Sequence, residues 1–380
     1  MADNLLERLR KLKGENRNFA YFCKFRDEKR MIGEETLITG TRVMESNDSS
    51  ILRNIKNTTP VIVSFSLVNS IFKARAKEGI FPPILLLVPE TMETGQFLRI
   101  EKEHFSPLKE DHEDSELEMK IMNVRERIRN GEALQVVISR DFGSINLNPI
   151  DAVEGFLHND RSMYIFYFKF NEYEIFGSSP ENLITREGRD LMIEPIAGTR
   201  TVSSSTEENE RIAIELMNDP KELLEHRMLV DLARNDLGKI SEYGSIGVSK
   251  SMEIRHFSSV MHIVSRVNSR LREGIGNDQI INAVFPAGTV SGAPKDRAIR
   301  IINEIEDTPR GPYAGCLGIM DRENMDMALT IRTIYGNGKG YFVRSGAGIV
   351  KDSIPEREVN EIRMKSFAAA GGKLNEPITN

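Results

Sequence analysis

SMYIFYFKFNEYEIFGS, residues 162–178, holds two runs rich in aromatic and β-branched residues, separated by the polar pair Asn171-Glu172. Such side chains suit a pleated, packed surface, and a short polar break between two such runs reads as a hairpin, so the flanking strands run antiparallel. Working outward, helices recur before strand pairs. Upstream, a helix over about Leu117–Asn130 passes through Asn130-Gly131 into a strand over Leu134–Phe142. Downstream, helices over about Thr206–Met217 and Pro220–Ala233 precede strands at IGVSKSMEIRH (246–256) and SSVMHIVSRVN (258–268). Helices near Asp278–Val284 and Pro294–Glu306 come next. Three strands then follow at AGCLGIM (314–320), MALTIRTIY (327–335) and GYFVRSGAG (340–348), before a helix over Pro355–Ala369. Helices followed by antiparallel strands argue for an α+β fold and against a parallel, doubly wound sheet.

Nearer the N-terminus, the β-like runs FAYFCKF (19–25), PVIVSFSL (60–67) and ILLLVP (84–89) carry no motif with legible chemistry. The acidic segment LKEDHEDSE, 108–116, is the expected boundary between an N-terminal part, residues 1–110, and a catalytic domain, residues 111–380. A chain of 380 residues can bury a sizeable core, and 39% hydrophobic with 28% charged residues sets disorder aside. A net charge of −6 leaves no basic footprint for nucleic acid. No apolar run is long enough to span a bilayer, and the opening MADNLLERLRKLKGENR is a charged amphipathic helix without an apolar signal core. Two cysteines, Cys23 and Cys316, make neither a disulfide framework nor a Cys-rich metal site, so a reducing cytoplasm is the expected location.

Two Glu-x-x-Glu pairs stand out, Glu222/Glu225 in KELLEH and Glu358/Glu361 in REVNEI. Residues three apart share one helix face. One such pair alone is ordinarily a solvated face, but if the two helices meet, the carboxylates repel unless a hard cation such as Mg²⁺ neutralises them. FPAGTVSGAPK (285–295) combines close-approach glycines Gly288 and Gly292, the hydroxyls of Thr289 and Ser291, and a helix starting at Pro294. As a lone string it is equally a structural turn or an anion-binding loop. RSGAGIV (344–350) and PIAGTR (195–200) are further small-residue loops. No dinucleotide or phosphate-cradling loop occurs.

Together with SSPE (178–181), LVDLARND (229–236), VMHIVS (260–265), RGPYAG (310–315), TIRT (330–333) and DSIPEREVNE (352–361), these loops resemble the chorismate-binding enzymes, from Leu117 to Lys365. The family includes the large subunits of anthranilate and aminodeoxychorismate synthases, together with isochorismate and salicylate synthases. The resemblance implies two packed antiparallel sheets with helices outside. It also implies Mg²⁺ held by Glu222, Glu225, Glu358 and Glu361, binding the ring carboxylate of chorismate. Lys365, one turn beyond Glu361, would balance the carboxylates or meet a substrate carboxylate; the family's Asn-Lys-Ala is here Met364-Lys365-Ser366. Arg332 and Tyr313 would grip the enolpyruvyl carboxylate with help from Gly346 and Gly348, and Gly198 of PIAGTR would line the substrate. Glu181 matches the general acid that protonates the departing C4 hydroxyl. His262 matches the histidine beside that hydroxyl or the pyruvate side chain, and Thr289 would contact the same region.

Two positions separate the subclasses. Water-adding relatives carry a lysine where this chain has Gln135, and aminodeoxychorismate synthases commonly carry a lysine where it has Ala197. An amide cannot deprotonate water, so ammonia is the expected nucleophile at C2. The resemblance therefore implies anthranilate synthase component I, a pyruvate-releasing lyase of tryptophan biosynthesis. Neither cysteine sits on a nucleophile elbow, so ammonia from glutamine would require a separate amidotransferase subunit and a hetero-oligomer. Alternatives are an enzyme that stops at 2-amino-2-deoxyisochorismate, an aminodeoxychorismate synthase, or an idle scaffold for the amidotransferase. The family's tryptophan-sensing Leu-Leu-Glu-Ser and Asn-Pro-Ser-Pro-Tyr-Met stretches are not intact, and the second region reads HNDRSMYIFYF (158–168).

Overall fold

The 162–178 hairpin forms about the polar break at Asn171-Glu172. Strands Tyr164–Phe170 and Tyr173–Ser179 pair antiparallel across a turn in which Asn171 takes φ 54°, a left-handed conformation that asparagine tolerates. Every residue of Tyr164–Phe170 is buried, and period two divides them between two cores. Tyr164, Phe166, Phe168 and Phe170 meet Ile62, Leu85, Leu317 and Ala328 of a second sheet. Ile165 and Tyr167 face the opposite side, where the helices Leu5–Gly14 and Pro149–Asn159 contribute Leu9, Val153 and Phe156.

The computed structural model describes residues 5–26, 31–99, 114–145, 147–203, 205–256, 260–338 and 340–369. Among these, every strand pairing is antiparallel. One sheet runs in the order Gly292–Ala293, Gln135–Ile145, Tyr341–Ile349, Thr333–Gly336, Tyr173–Ser179, Tyr164–Phe170, Asn18–Phe25, Ile32–Gly40, Thr91–Leu98. The other runs Ile196–Thr201, Val260–Arg270, Asp190–Ile193, Asn182–Glu187, Asn324–Leu329, Cys316–Met320, Thr59–Val63, Ile84–Leu87, Val43–Ser46, and Gly247–His256 also pairs with Val260–Arg270. A third core lies where the helices Ser115–Arg129, Lys295–Ile305 and Pro355–Ala369 cover one end of the first sheet. There Ile121, Val124, Ile299, Ile302 and Ile362 pack with Val136, Ile138 and Ile349. The α+β class and the paired antiparallel sheets are thus as expected.

Three departures are informative. MALTIRTIY reads as one strand, yet the chain leaves the second sheet at Leu329 and enters the first at Thr333. The β-branched run hides the crossing because nothing in it signals a turn. The break is made by tertiary contacts: the Thr330 hydroxyl donates to the Pro312 carbonyl, and Arg332 takes φ 51°. The helix Pro149–Asn159 was not anticipated, although Asn148 caps it by accepting the Ile150 N–H at 3.0 Å and Pro149 opens it. Finally, the helix expected over Pro220–Ala233 continues to Gly238.

Strands from both sides of the expected 110/111 boundary share both sheets: Asn18–Phe25 pairs with Tyr164–Phe170, and Thr59–Val63 with Cys316–Met320. Most of the boundary segment itself, residues 108–113, lies outside the described residues. No helix among the described residues is long and apolar enough to cross a membrane.

Candidate active site

Two helices supply the glutamates. Asp219 caps the first by accepting the N–H groups of Lys221 and Glu222 at 3.0 and 3.3 Å, and Pro220 follows as its first residue. Both devices fix where the helix starts, and hence where Glu222 and Glu225 project. Glu358 and Glu361 occupy the opening turns of Pro355–Ala369. The helices bring the two pairs within electrostatic reach: burial holds the Glu225 carboxyl above its usual range, and Glu222 and Glu361 add to the rise. Burial likewise raises Glu358, again with a contribution from Glu361. The cross-helix coupling is that of Glu225 with Glu361, and carboxylate oxygens are the donor type that Mg²⁺ prefers. Among the described residues no three acidic, imidazole or thiol groups stand in metal-holding geometry. Glu222 lies 3.4 Å from Arg200, while Glu361 accepts from Lys365 at 2.6 Å.

Around these pairs most of the expected residues converge. Gln135 opens the strand Gln135–Ile145 and its Nε2 donates to Glu225 at 3.3 Å, while its Oε1 is buried without a hydrogen-bond partner. Gly348 lies against this amide, and a side chain there would overlap Gln135 Nε2. Gly198, at φ 64°, lies against Glu222: a Cβ there would stand 3.3 Å from Glu222 Oε2. Its carbonyl accepts from Nδ1 of the buried His262 at 2.8 Å, which fixes the proton on that nitrogen, since a carbonyl can only accept. Lys365 also reaches the Gly346 carbonyl at 3.3 Å, and a Cβ on Gly346 would lie 2.6 Å from Tyr313 Oη.

Glu181 is buried, and burial pushes its carboxyl up to about 8; the Thr289 hydroxyl and the Lys365 ammonium offset part of the rise. Thr289 Oγ1 is itself buried and makes no hydrogen bond of ordinary geometry. At neutral pH Glu181 is therefore mostly protonated, the state a general acid needs. Ala197 is buried in the adjoining strand opposite Ile263.

Arg332 contacts a different set of residues. Its carbonyl accepts from Ser178 N–H at 3.2 Å, and its guanidinium helps hold the Asp160 carboxyl below its usual range. Asp160 also accepts from Ser162 and Ser178 hydroxyls. Nothing in the sequence pattern marked Asp160. A second overlooked group is the buried cluster in which Glu306 accepts from Ser139, Arg310 and Arg344. Arg310 lies 5.6 Å from the Tyr313 ring and donates to the Val290 carbonyl beside Thr289 at 2.9 Å, so the cluster supports both residues. The leading arginines of RGPYAG and RSGAGIV were its visible signs. A cavity of about 980 Å³ opens elsewhere, lined by residues such as Phe25, Met163, Glu194 and Arg255, and none of the expected site residues lines it.

The family model described as chorismate binding enzyme matches residues 89–371. Anthranilate synthase component 1 of Methanothermobacter thermautotrophicus is 47% identical over 251 residues, 65% of this chain and 54% of the relative. Anthranilate synthase component 1 of Aquifex aeolicus is 43% identical over 272 residues, 71% of this chain and 55% of the relative. Aminodeoxychorismate synthase component 1 of Bacillus subtilis is 42% identical over 250 residues, 65% and 53%. The chain thus spans about half the length of these curated relatives. Among solved structures, anthranilate synthase component I from Streptococcus pneumoniae superposes with a TM-score of 0.75 at 29% identity, covering 93% of this chain and 92% of that one. The menaquinone-specific isochorismate synthase from Escherichia coli shares the fold, with a TM-score of 0.77 at 20% identity over 98% and 92% of the two chains.

Proposed function

Because the chain belongs to the chorismate-binding enzyme family, we propose that it is the chorismate-converting component of an anthranilate synthase. It would turn chorismate and ammonia into anthranilate and pyruvate for tryptophan biosynthesis in the cytoplasm, with a partner amidotransferase releasing the ammonia from glutamine. Glu222, Glu225, Glu358 and Glu361 would hold Mg²⁺, which when bound would supply a positive anchor for the ring carboxylate and draw electron density from the ring. Arg332, Tyr313 and the N–H groups of Gly346 and Gly348 would take the enolpyruvyl carboxylate, while Gly198 keeps the floor beside Glu222 free of side chain. Lys365 offsets the glutamate charge.

The chemistry divides in two. Ammonia adds at C2, both ring double bonds shift by one position, and the C4 hydroxyl leaves as water with the proton of Glu181, steadied by Thr289. The C2 proton then departs and the C3–O bond breaks. The enolpyruvyl group takes a proton on its methylene carbon to become pyruvate, and the ring is left aromatic. His262, held by its Nδ1–H bond to Gly198, presents the nitrogen that can move a proton in this region.

One observation carries the choice of nucleophile: the side chain beside Glu225 is the Gln135 amide, 3.3 Å away, and not an amine able to activate water. The Bacillus subtilis relative favours aminodeoxychorismate synthase as a second reading. Against it, Ala197 offers no amine to attack C2. The test is to supply the purified chain with chorismate, Mg²⁺ and an ammonium salt at alkaline pH. Fluorescent anthranilate should form, and glutamine alone should support no turnover. Isochorismate, 4-amino-4-deoxychorismate or accumulated 2-amino-2-deoxyisochorismate as main product would overturn the reading, and no conversion at all would return the chain to a scaffold.

A further inference from the structure

His226 directly follows Glu225 on the helix Pro220–Gly238, yet it is fully buried. Its Nε2 lies 2.6 Å from the hydroxyl of Ser265, itself fully buried and three residues beyond His262 on the strand Val260–Arg270. The same hydroxyl accepts the Met252 N–H at 2.9 Å. That contact exists because the neighbouring strand bulges here: Lys250 pairs with Arg266 and Glu253 with Val264, so Ser251 and Met252 together oppose Ser265, with Met252 at φ 54°. On the other side, the Ser265 N–H donates to the Pro195 carbonyl at 3.2 Å, at the start of the segment that carries Ala197 and Gly198. Ser265 is therefore a junction of the glutamate helix, the His262 strand, the bulge and the Gly198 loop.

Burying an imidazole costs desolvation, and the second nitrogen, Nδ1, is buried without a hydrogen-bond partner. A site that needed only packing would be filled at lower cost by leucine. What the imidazole adds is direction. Consecutive helical residues point about 100° apart, so tying residue 226 to a fixed hydroxyl sets the rotation of the helix about its axis and the line along which Glu222 and Glu225 project. We propose that His226 is a positioning residue: through Ser265 it locks the glutamate pair of this helix in register with His262. The inference rests on the reading of those glutamates as Mg²⁺ ligands.

The experiment uses the full chain and two readouts, Mg²⁺ binding by calorimetry and anthranilate formation from chorismate and ammonium. Ser265→Ala and His226→Leu should each weaken Mg²⁺ binding about ten-fold, the scale on which outer partners of metal ligands act. The chorismate KM should stay within about two-fold while kcat falls, because the enolpyruvyl contacts lie on other elements. Since both variants break one bond, the double variant should bind Mg²⁺ no worse than the weaker single. His226→Gln, which keeps a side-chain donor of similar reach, should recover affinity to within about three-fold of wild type. Unchanged Mg²⁺ affinity in folded single variants, losses that multiply in the double, or a glutamine variant no better than leucine would overturn the proposal. Should His226→Leu fail to fold, Ser265→Ala and His226→Gln carry the same comparison. Wild-type protein that binds Mg²⁺ but makes no anthranilate sinks the activity and leaves the binding comparison to judge the clamp. Wild-type protein that makes anthranilate with Mg²⁺-insensitive variants sinks the clamp alone, and wild-type protein that binds no Mg²⁺ sinks both.

Discussion

A carboxyl group that keeps its proton to about pH 8 has consequences in both activity and stability. The folded state binds the Glu181 proton more tightly than the unfolded chain, so stability is lost as pH rises from the ordinary carboxyl range towards 8. The upper bound on that loss is about 5 kcal/mol, at about 1.4 kcal/mol per unit. Glu181→Gln should therefore match wild type near pH 5 and melt at a higher temperature at pH 9; a difference that shrinks with pH would place the raised carboxyl elsewhere. For activity the sign is the same. With free ammonia held constant, anthranilate formation should fall above about pH 8, and in Glu181→Gln this limb should vanish along with most turnover, ~100-fold. Ala197 tests the neighbouring question. It is buried opposite Ile263, one residue before Gly198. Lysine there should compete with ammonia for C2, lower anthranilate formation at least ~10-fold and leave a covalent adduct visible by mass spectrometry. Wild-type rates in Ala197→Lys would mean that this position does not face C2.

Between elements, the spacing of charged residues carried more information than their identity. Glu222/Glu225 and Glu358/Glu361 were legible because three-residue spacing on helices is a local property, and the fold brings the two faces together. The crossing from Leu329 to Thr333 was not legible, because its left-handed Arg332 is imposed by contacts with Pro312 and Ser178. Asp160, which faces Arg332, was missed for the same reason: the partnership exists only after the sheets have packed. The convergence of like charges predicts an exchange of stability for function. Glu225 sits above its usual range through burial and then Glu222 and Glu361, so its carboxylate form disfavours the metal-free fold at neutral pH. Glu225→Gln should raise the melting temperature of metal-free protein by ~2 °C, more at pH 8 than at pH 5, while abolishing Mg²⁺-dependent turnover. A variant that melts lower and turns over normally would remove this helix from the reaction.

At the scale of the whole molecule, buried charge ties the first sheet to the segment that follows the helix Lys295–Ile305. Glu306 accepts from Arg310 and Arg344 at 2.6 and 2.9 Å, all three nearly fully buried, and Arg344 continues to Asp141 at 2.7 Å. Removing one partner strands the others, so Glu306→Gln should cost about 3–5 kcal/mol by urea unfolding, whereas a loss under ~1 kcal/mol would show that the arginines find other acceptors. The first hundred residues are woven into the same architecture. Asn18–Phe25 fills the gap between Ile32–Gly40 and Tyr164–Phe170, and Thr59–Val63 lies between Ile84–Leu87 and Cys316–Met320. Those strands carry no motif with legible chemistry, yet they complete both sheets, because chemistry and packing are independent properties. A fragment of residues 111–380 would expose the edges of Tyr164–Phe170 and Cys316–Met320 and uncover Phe166, Phe168, Leu317 and Ala328. Unpaired edges bearing apolar side chains associate. The fragment should accumulate as aggregate, or melt without a cooperative transition, and adding residues 1–110 as a separate chain should restore soluble material only when both are refolded together. A monomeric fragment with a sharp melt and measurable chorismate binding would show that the catalytic half closes its own core.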